Sequence, residues 1–425
     1  MTPIVVLGAG PAGLAAAHAA SSDGQPVVLI DENPAPGGQI WRGGVAAWRD
    51  RRAHDLWTAL RARPHVQLRL GTRLVASAGP GQLLVAAGGA PDIQAWERVI
   101  VCSGARELLL PFPGWTLPGV TGAGGMQALV KGGFPVRGQR VVVAGSGPLL
   151  LAVADTVRRQ GGRVAAIVES RSSAELAAFG ARLARGQGAK LAQAALLLAR
   201  LLGVPYLRGA MVRAAQGEGR LASVLLDHQG RELRIDCDFL ACGFGLVPAL
   251  EMAGLFGCAL VDGQVRVSDA QATSVAGVWA AGESTGIGGV DKALAEGRIA
   301  GLAAAGIAPS PSDFAARARA QRFAALLAAS FAPPAAMRQV CQPSTIVCRC
   351  EDVRSAELAP HAAWRTAKLQ TRVGMGPCQG RVCGPACGFL YGWDAPEGRP
   401  PAFPIAAGAL AVVRSPAAGE SADTT

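Results

Sequence analysis

The stretch Ile4-Val-Val-Leu-Gly8-Ala-Gly10-Pro-Ala-Gly13-Leu-Ala-Ala-Ala-His-Ala-Ala20, followed by Val27-Val-Leu-Ile-Asp31, decides the fold. The apolar run Ile4–Leu7 predicts a buried strand, the glycines a tight turn, and the Ala-rich run a helix that begins at Pro11. Val27–Ile30 predicts the next strand, which ends on a carboxylate. In such a turn the first glycine permits the reversal, the second lets a pyrophosphate approach the backbone, and the third packs helix against strand. The helix N-terminus presents unpaired N–H groups to the phosphates, and Asp31 can accept hydrogen bonds from an adenosine ribose.

The same opening recurs at Arg140–Glu169, with strand Arg140–Ala144, the turn Gly145-Ser-Gly147-Pro-Leu-Leu150, an apolar helix and strand Val164–Val168. Leu150 stands where a third glycine belongs, which is expected to loosen helix–strand packing. Glu169 is the candidate ribose acid here, and a carboxylate favours a free 2′-hydroxyl, so NAD(H) fits better than NADP(H). Arg171 lies close by. The alternative is that the site holds an adenine nucleotide as structural filler, or holds nothing.

Two further stretches separate a flavin from a nicotinamide at the first turn. Gly37-Gly38-Gln39 lies just beyond Asp31, where small residues let backbone approach the remainder of FAD. Strand Arg98–Cys102 closes on Ser103-Gly104. Thr273-Ser-Val-Ala-Gly-Val-Trp-Ala-Ala-Gly282-Glu283 predicts a strand that delivers a carboxylate to the ribityl chain, although Glu283 stands where Asp is usual. FAD is therefore expected on Gly8, Gly10, Gly13, Asp31, Gly38, Gln39, Ser103, Gly104, Gly282 and Glu283.

Ten cysteines are present, and their density rises after Pro333-Pro334. Cys348-Arg-Cys350 and Cys378-Gln-Gly-Arg-Val-Cys383 form a C-x-C pair and a C-x4-C pair. A 2Fe–2S cluster needs four thiolates, two on each iron, and these pairs can supply them. Glycines at 374, 376, 380 and 384 would let backbone amides reach the cluster sulfurs. Structural zinc is the rival, although its modules generally use C-x2–4-C pairs. Cys341 and Cys387 are possible replacement ligands, whereas Cys102, Cys237, Cys242 and Cys258 read as buried small hydrophobes. No C-x-x-C occurs, so a dithiol centre of the thioredoxin-reductase type is excluded. The five histidines (His18, His54, His65, His228, His361) show no metal-ligand spacing, and no catalytic residue is assigned.

The 425 residues are half hydrophobic and 17% charged, which suits several packed domains. The net charge of +11 comes almost wholly from dispersed arginines, with lysines only at 131, 190, 292 and 368. With aromatics at 5% and no basic cluster, nucleic-acid binding is not expected. Met1-Thr-Pro has no basic n-region before the first strand, and Leu191–Leu202 is too short to span a bilayer. A cytoplasmic location follows as an expectation, with membrane contact at most peripheral.

From Val5 to about Pro404 the chain resembles the FAD-binding alpha subunits of heteromeric amino-acid and opine dehydrogenases, of the hydrogen cyanide synthase, opine oxidase and D-hydroxyproline dehydrogenase types. The resemblance rests on Pro36-Gly-Gly-Gln-Ile-Trp-Arg42, Pro113-Gly-Trp-Thr-Leu-Pro-Gly-Val120, Gly282-Glu-Ser-Thr-Gly-Ile-Gly-Gly-Val290 and Gly374-Met-Gly-Pro-Cys-Gln-Gly-Arg-Val-Cys383. The C-terminal module is similar to the bacterioferritin-associated ferredoxin fold. The resemblance implies a second flavoprotein (beta) subunit that oxidises an amino or imino acid, and a small ferredoxin-like subunit beside it. The alpha subunit would pass electrons onward.

The expected fold is thus α/β, with two Rossmann-like dinucleotide-binding domains of the glutathione/thioredoxin-reductase kind and a small iron–sulfur module. The boundaries read as 1–106 with 240–310 for FAD, 107–239 for the second nucleotide, 311–339 for a helical linker, 340–395 for the module and 396–425 for a tail. Function reads as a flavin-dependent electron-transferring subunit. The competing readings are a self-sufficient NADH-dependent reductase and a nucleotide- and zinc-holding scaffold.

Overall fold

The computed structural model describes residues 2–394 and 400–411, so most of the expected tail lies outside the described residues. In chain order the elements that position the sites begin with β1 (Ile4–Leu7), α1 (Pro11–Ala20), β2 (Val27–Asp31), β3 (Val66–Leu70) and β4 (Arg98–Val101). They continue with β5 (Val120–Gly122), α2 (Ala123–Lys131), β6 (Arg140–Gly145), α3 (Leu149–Arg159), β7 (Arg163–Glu169), α4 (Ser173–Ala184), β8 (Tyr206–Arg208) and β9 (Phe239–Gly243). The last are β10 (Val278–Ala280), α5 (Val290–Ala304), α6 (Pro311–Phe331) and α7 (Cys383–Tyr391).

The chain divides into two compact units, 1–105 with 248–321 and 398–425, and 106–247 with 322–397. The first holds a five-stranded parallel sheet in the order β10-β4-β1-β2-β3. Its central strands are buried on both faces, which explains why Ile4–Leu7 and Val27–Asp31 are continuous apolar runs rather than alternating ones. The chain leaves β1 through α1 towards β2 on one side, while β4 lies on the other. The Gly8 turn therefore stands where the strand order reverses, which is where ligands bind in open α/β sheets.

The second unit repeats the plan in a parallel sheet ordered β8-β7-β6-β9-β5. β9 pairs with both β6 and β5, so the return to the first unit falls at 248 and not at the expected 240. Residues 210–236 add an antiparallel meander.

The cysteine-bearing segment belongs to this same unit. It has a small core of its own, with Leu358, Val373, Cys383 and Cys387 fully buried and Trp364 and Trp393 nearly so. It is also tied to the second sheet's core. Met337 and Val340 are buried with Phe112, Val142 and Leu240, and the Trp115 Nε1–H donates to Ile346 O at 2.6 Å. The expected helical linker 311–339 contains the 21-residue helix α6, a turn, and the start of a short helix at Met337–Val340. Helix α6 stops at Phe331 because Pro333 pushes Ala332 out of helical geometry.

Candidate cofactor sites

At the first turn, Asp31 ends β2 and is 8% exposed. Its Oδ2 accepts from Ala9 N at 2.6 Å, and its Oδ1 from Asn33 N at 2.7 Å. These bonds pin the turn to the next strand and hold the carboxylate beside the start of α1. No side chain caps α1, so its first amides are left to a ligand. Gly13 is obligatory, because a Cβ there would lie 1.7 Å from Gly8 O. Gly10 meets only another glycine, the Gly38 Cα at 3.9 Å from its ideal Cβ. Two bare backbones therefore face each other across the turn.

The other expected FAD residues lie in the same unit. Gly38 takes a left-handed φ of 57°, and Gln39 is exposed, with its Oε1 accepting from Arg42 at 2.9 Å. Ser103 donates to Ala249 O at 2.6 Å, and Gly104 follows it at a φ of 72°. Gly282 sits two residues after the end of β10 at a φ of 83°. The Glu283 carboxylate accepts from Gly288 N at 2.9 Å and Gly289 N at 2.7 Å, so it braces the turn into α5. Burial pushes this carboxyl above its ordinary range, and the two amides pull it part of the way back.

The second turn has the same parts in a different contact. Glu169 ends β7, is 1% exposed, and accepts from Gly147 N at 2.8 Å and Arg171 N at 3.0 Å. Burial raises its pKa against those bonds. The longer side chain reaches the second glycine of the turn, whereas Asp31 reaches the residue before its counterpart. The absent third glycine does not loosen the packing as expected. Leu150 is fully buried, and its Cδ2 lies 2.9 Å from where a Cβ on Gly243 would be, so the missing glycine has moved across to β9. Gly147 differs most from Gly10: its ideal Cβ lies 3.2 Å from the ring of Phe331, the last residue of α6.

The four predicted cysteine ligands come together. Cys348 ends the short strand Ile346–Cys348 and Cys383 opens α7; both are 1% exposed. Cys383 lies close enough to Cys348 and Cys378, and Cys378 to Cys350, for each thiol to shift its neighbour's titration. The nearby Cys383 thiol draws Cys348 down to about 6 against burial, with help from the amides of Gly374, Glu351 and Cys350. It likewise draws Cys378 down to about 4 against burial, helped by the Val382 and Gly380 amides. Cys383 itself is raised, because Cys348 and Cys378 both favour its protonated form. Gly376 runs directly over Cys350, with its ideal Cβ 2.2 Å from that Cβ. All ten cysteines are free thiols. Among the described residues no group of three or more His, Cys, Asp or Glu side chains surrounds one metal-ion position.

Cys387 lies beside this set, and burial pushes it up to about 12; Cys341 is also raised by burial. Cys102, Cys237, Cys242 and Cys258 are buried and all shifted upwards by burial, as inert thiols are.

Residues 2–297 match the family of pyridine nucleotide-disulphide oxidoreductases. The chain belongs to that family. It is a flavin-dependent oxidoreductase, and the fold implies FAD. Over its length this flavoprotein is 32% identical to hydrogen cyanide synthase subunit HcnB of Pseudomonas aeruginosa, with 89% of this chain and 90% of that one aligned. It is 30% identical to the A subunit of opine oxidase from Rhizobium meliloti, across 97% and 99% of the two chains. Among solved structures, L-proline dehydrogenase from P. horikoshii shares the fold at a TM-score of 0.70 and 18% identity, covering 96% of this chain and 79% of that chain. No helix of the flavoprotein's described residues is long and apolar enough to cross a membrane.

One element beside the expected flavin residues escaped the sequence reading. Lys292 and Glu296 on α5 form a buried ion pair, 2.7 Å from Nζ to Oε2. Glu296 Oε2 also accepts from Gly282 N at 3.0 Å and Thr285 Oγ1 at 2.7 Å, while Lys292 donates to Gly282 O at 2.9 Å. The pair thus grips both backbone groups of Gly282 and fixes the residue before Glu283. An i,i+4 Lys–Glu spacing was visible, but on a helix it usually marks a solvated face. Here α5 packs against α1 and the pair is inside.

Proposed function

We propose that this flavoprotein is the electron-transferring subunit of an amino-acid or imino-acid dehydrogenase complex, of the opine, hydroxyproline or glycine type, and that it carries FAD and a 2Fe–2S cluster. The carrying observation is that one small core buries Cys348 with Cys383 and that the Gly376 backbone lies against Cys350, so both cysteine pairs belong to a single compact segment. A C-x-C pair and a C-x4-C pair carry the four thiolates that a 2Fe–2S centre requires. When bound, FAD supplies two-electron acceptance and the cluster single-electron transfer. The chain's own part is to hold each group. Gly8, Gly10, Gly13, Asp31, Gly38, Gln39, Ser103, Gly104, Gly282 and Glu283 would hold FAD, and the four cysteines would hold the cluster.

No residue in the described sites stands out as a general base for amine oxidation. Donor oxidation is therefore assigned to a partner, a second flavoprotein (beta) subunit, and a small ferredoxin-like subunit is a further component. HcnB and the opine oxidase relative are both subunits of larger proteins, which supports an assembly of this kind.

The test is iron, sulfide and zinc analysis of the anaerobically purified full-length chain, followed by EPR after reduction. About two irons and two acid-labile sulfides per chain are expected, with a signal that Cys348→Ser and Cys378→Ser each abolish. Zinc without sulfide would replace this reading with the scaffold reading. Co-purification with a second flavoprotein checks the assembly.

A further inference from the structure

The second dinucleotide turn has the strand, the first two glycines, the helix and the carboxylate of a nucleotide site, yet its pyrophosphate approach is filled by the chain itself. In this fold the second glycine of the turn exists so that phosphate can reach the backbone. At Gly147 that approach is taken by Phe331, with Cγ 3.2 Å and Cβ 3.4 Å from the position of an added Cβ. Atoms at those distances leave no layer for a phosphate between ring and turn.

The aromatic ring is held from both sides. It packs edge-on against Phe179 of α4, with centroids 4.7 Å apart and planes at 76°. Behind it, Arg171 donates a hydrogen bond to Ala332 O and forms an ion pair with Glu175 at 3.0 Å. Arg171 is the cation that sequence reasoning placed near the ribose acid, and here it is committed to the covering segment. Pro333 and Pro334 then continue over Gly145, Ser170 and Val212, and the chain is anchored again by Met337, which is 2% exposed. The space left between this cover and the turn is about 10 Å³, room for no more than about one water.

The cover is also stiff. Phe331 is fixed by the end of α6, and two consecutive prolines restrict the backbone beyond it. Such a segment loses little entropy by lying in one place, unlike a flexible loop that closes only over ligand. The fit is close but not complete, because Ser170 Oγ is buried beneath the cover without a hydrogen-bond partner. A hydroxyl left this way fits a surface shaped for a polar ligand that is now covered by an apolar one.

We propose that Phe331-Ala-Pro-Pro334 is an intramolecular plug in the pyrophosphate subsite of the second dinucleotide fold, and that it closes this site to NAD(H) and other adenine nucleotides. Electrons then do not enter the protein as hydride from a nicotinamide at Gly145. The plug accounts for a Rossmann-type turn whose second glycine faces a side chain and not a phosphate. The inference rests on the second unit alone and is independent of the iron–sulfur reading.

Calorimetric titration of the full FAD-loaded chain with NAD⁺, NADH and AMP tests the plug, using wild type, Phe331→Ala, Phe331→Leu and a length-matched replacement of 331–334 by Gly-Ser-Gly-Ser. Wild type and Phe331→Leu should show no saturable heat up to about 1 mM ligand. Phe331→Ala or the four-residue replacement should bind at least about tenfold more tightly, with flavin absorbance unchanged as the folding check. Micromolar binding to wild type would overturn the plug, as would the failure of both opened variants, still flavin-loaded, to bind better than wild type.

Discussion

Gly10 and Gly147 occupy the same place in two copies of one supersecondary unit, and what faces them is opposite. Gly10 looks across at Gly38, backbone to backbone, whereas Gly147 looks at the ring of Phe331. Both turns follow a buried parallel strand, both open an uncapped helix, and both are pinned by a carboxylate from the next strand. The turn itself therefore does not determine whether a nucleotide can bind. The residue that arrives opposite the second glycine does, and in each copy it comes from elsewhere in the chain.

The comparison is broken most completely by giving the first turn what the second has. Gly10 sits at φ −75° and ψ −174°, a conformation open to any residue, so Gly10→Phe introduces a ring without backbone strain. The flavin-to-protein ratio of the purified variant should fall below about a tenth of wild type, since a phosphate cannot share the space.

A smaller but still large effect is expected at the support of the flavin loop. Lys292→Met leaves Glu296 buried beside Gly282 without its cation, and the loss in unfolding free energy should be about 3–5 kcal/mol. Denaturant titration checks this, and the double variant Lys292→Met/Glu296→Leu should recover a good part of the loss. Recovery would identify the unpaired charge, and not lost volume, as the cause.

Next is the pinning carboxylate. Asp31→Asn cannot accept from Ala9 and Asn33 with two equivalent oxygens, and it offers a ribose a weaker partner. FAD affinity, measured by flavin release on dilution, should weaken about ten- to a hundredfold. The equivalent Glu169→Gln change should leave flavin content unaltered. The smallest effect sharpens the contrast in packing. Gly243→Ala crowds Leu150 at 2.9 Å and should cost about 1–3 kcal/mol, while Leu150→Ala in the same chain should relieve it.

Much of the flavin site was legible because its chemistry is local. A glycine turn, a preceding apolar run and a carboxylate at the next strand's end lie within about thirty residues, and spacing alone brings them together. The cysteine pairs were legible for a similar reason, since C-x-C and C-x4-C each present two sulfurs from one short segment. What spacing could not supply was the company these residues keep. Lys292 and Glu296 have the spacing of an exposed helix pair, and only the packing of α5 on α1 turns them inward. Leu150 reads as a defect until Gly243 is seen across from it. Phe331 reads as one more apolar residue on an Ala-rich helix.

By itself, then, the amino-acid sequence determined two βαβ units, the acids that end their second strands, and the cysteine pairs, because each depends on contacts within a single turn or a single strand–helix crossover. The tertiary structure alone decided which of the two turns remains open to a nucleotide. That choice rests on Phe331, which lies far from Gly147 along the chain and reaches it only because α6 ends there and two prolines hold the exit. Steric exclusion acts at the distance of a single atom, and no pattern in sequence encodes which distant side chain will stand at that distance.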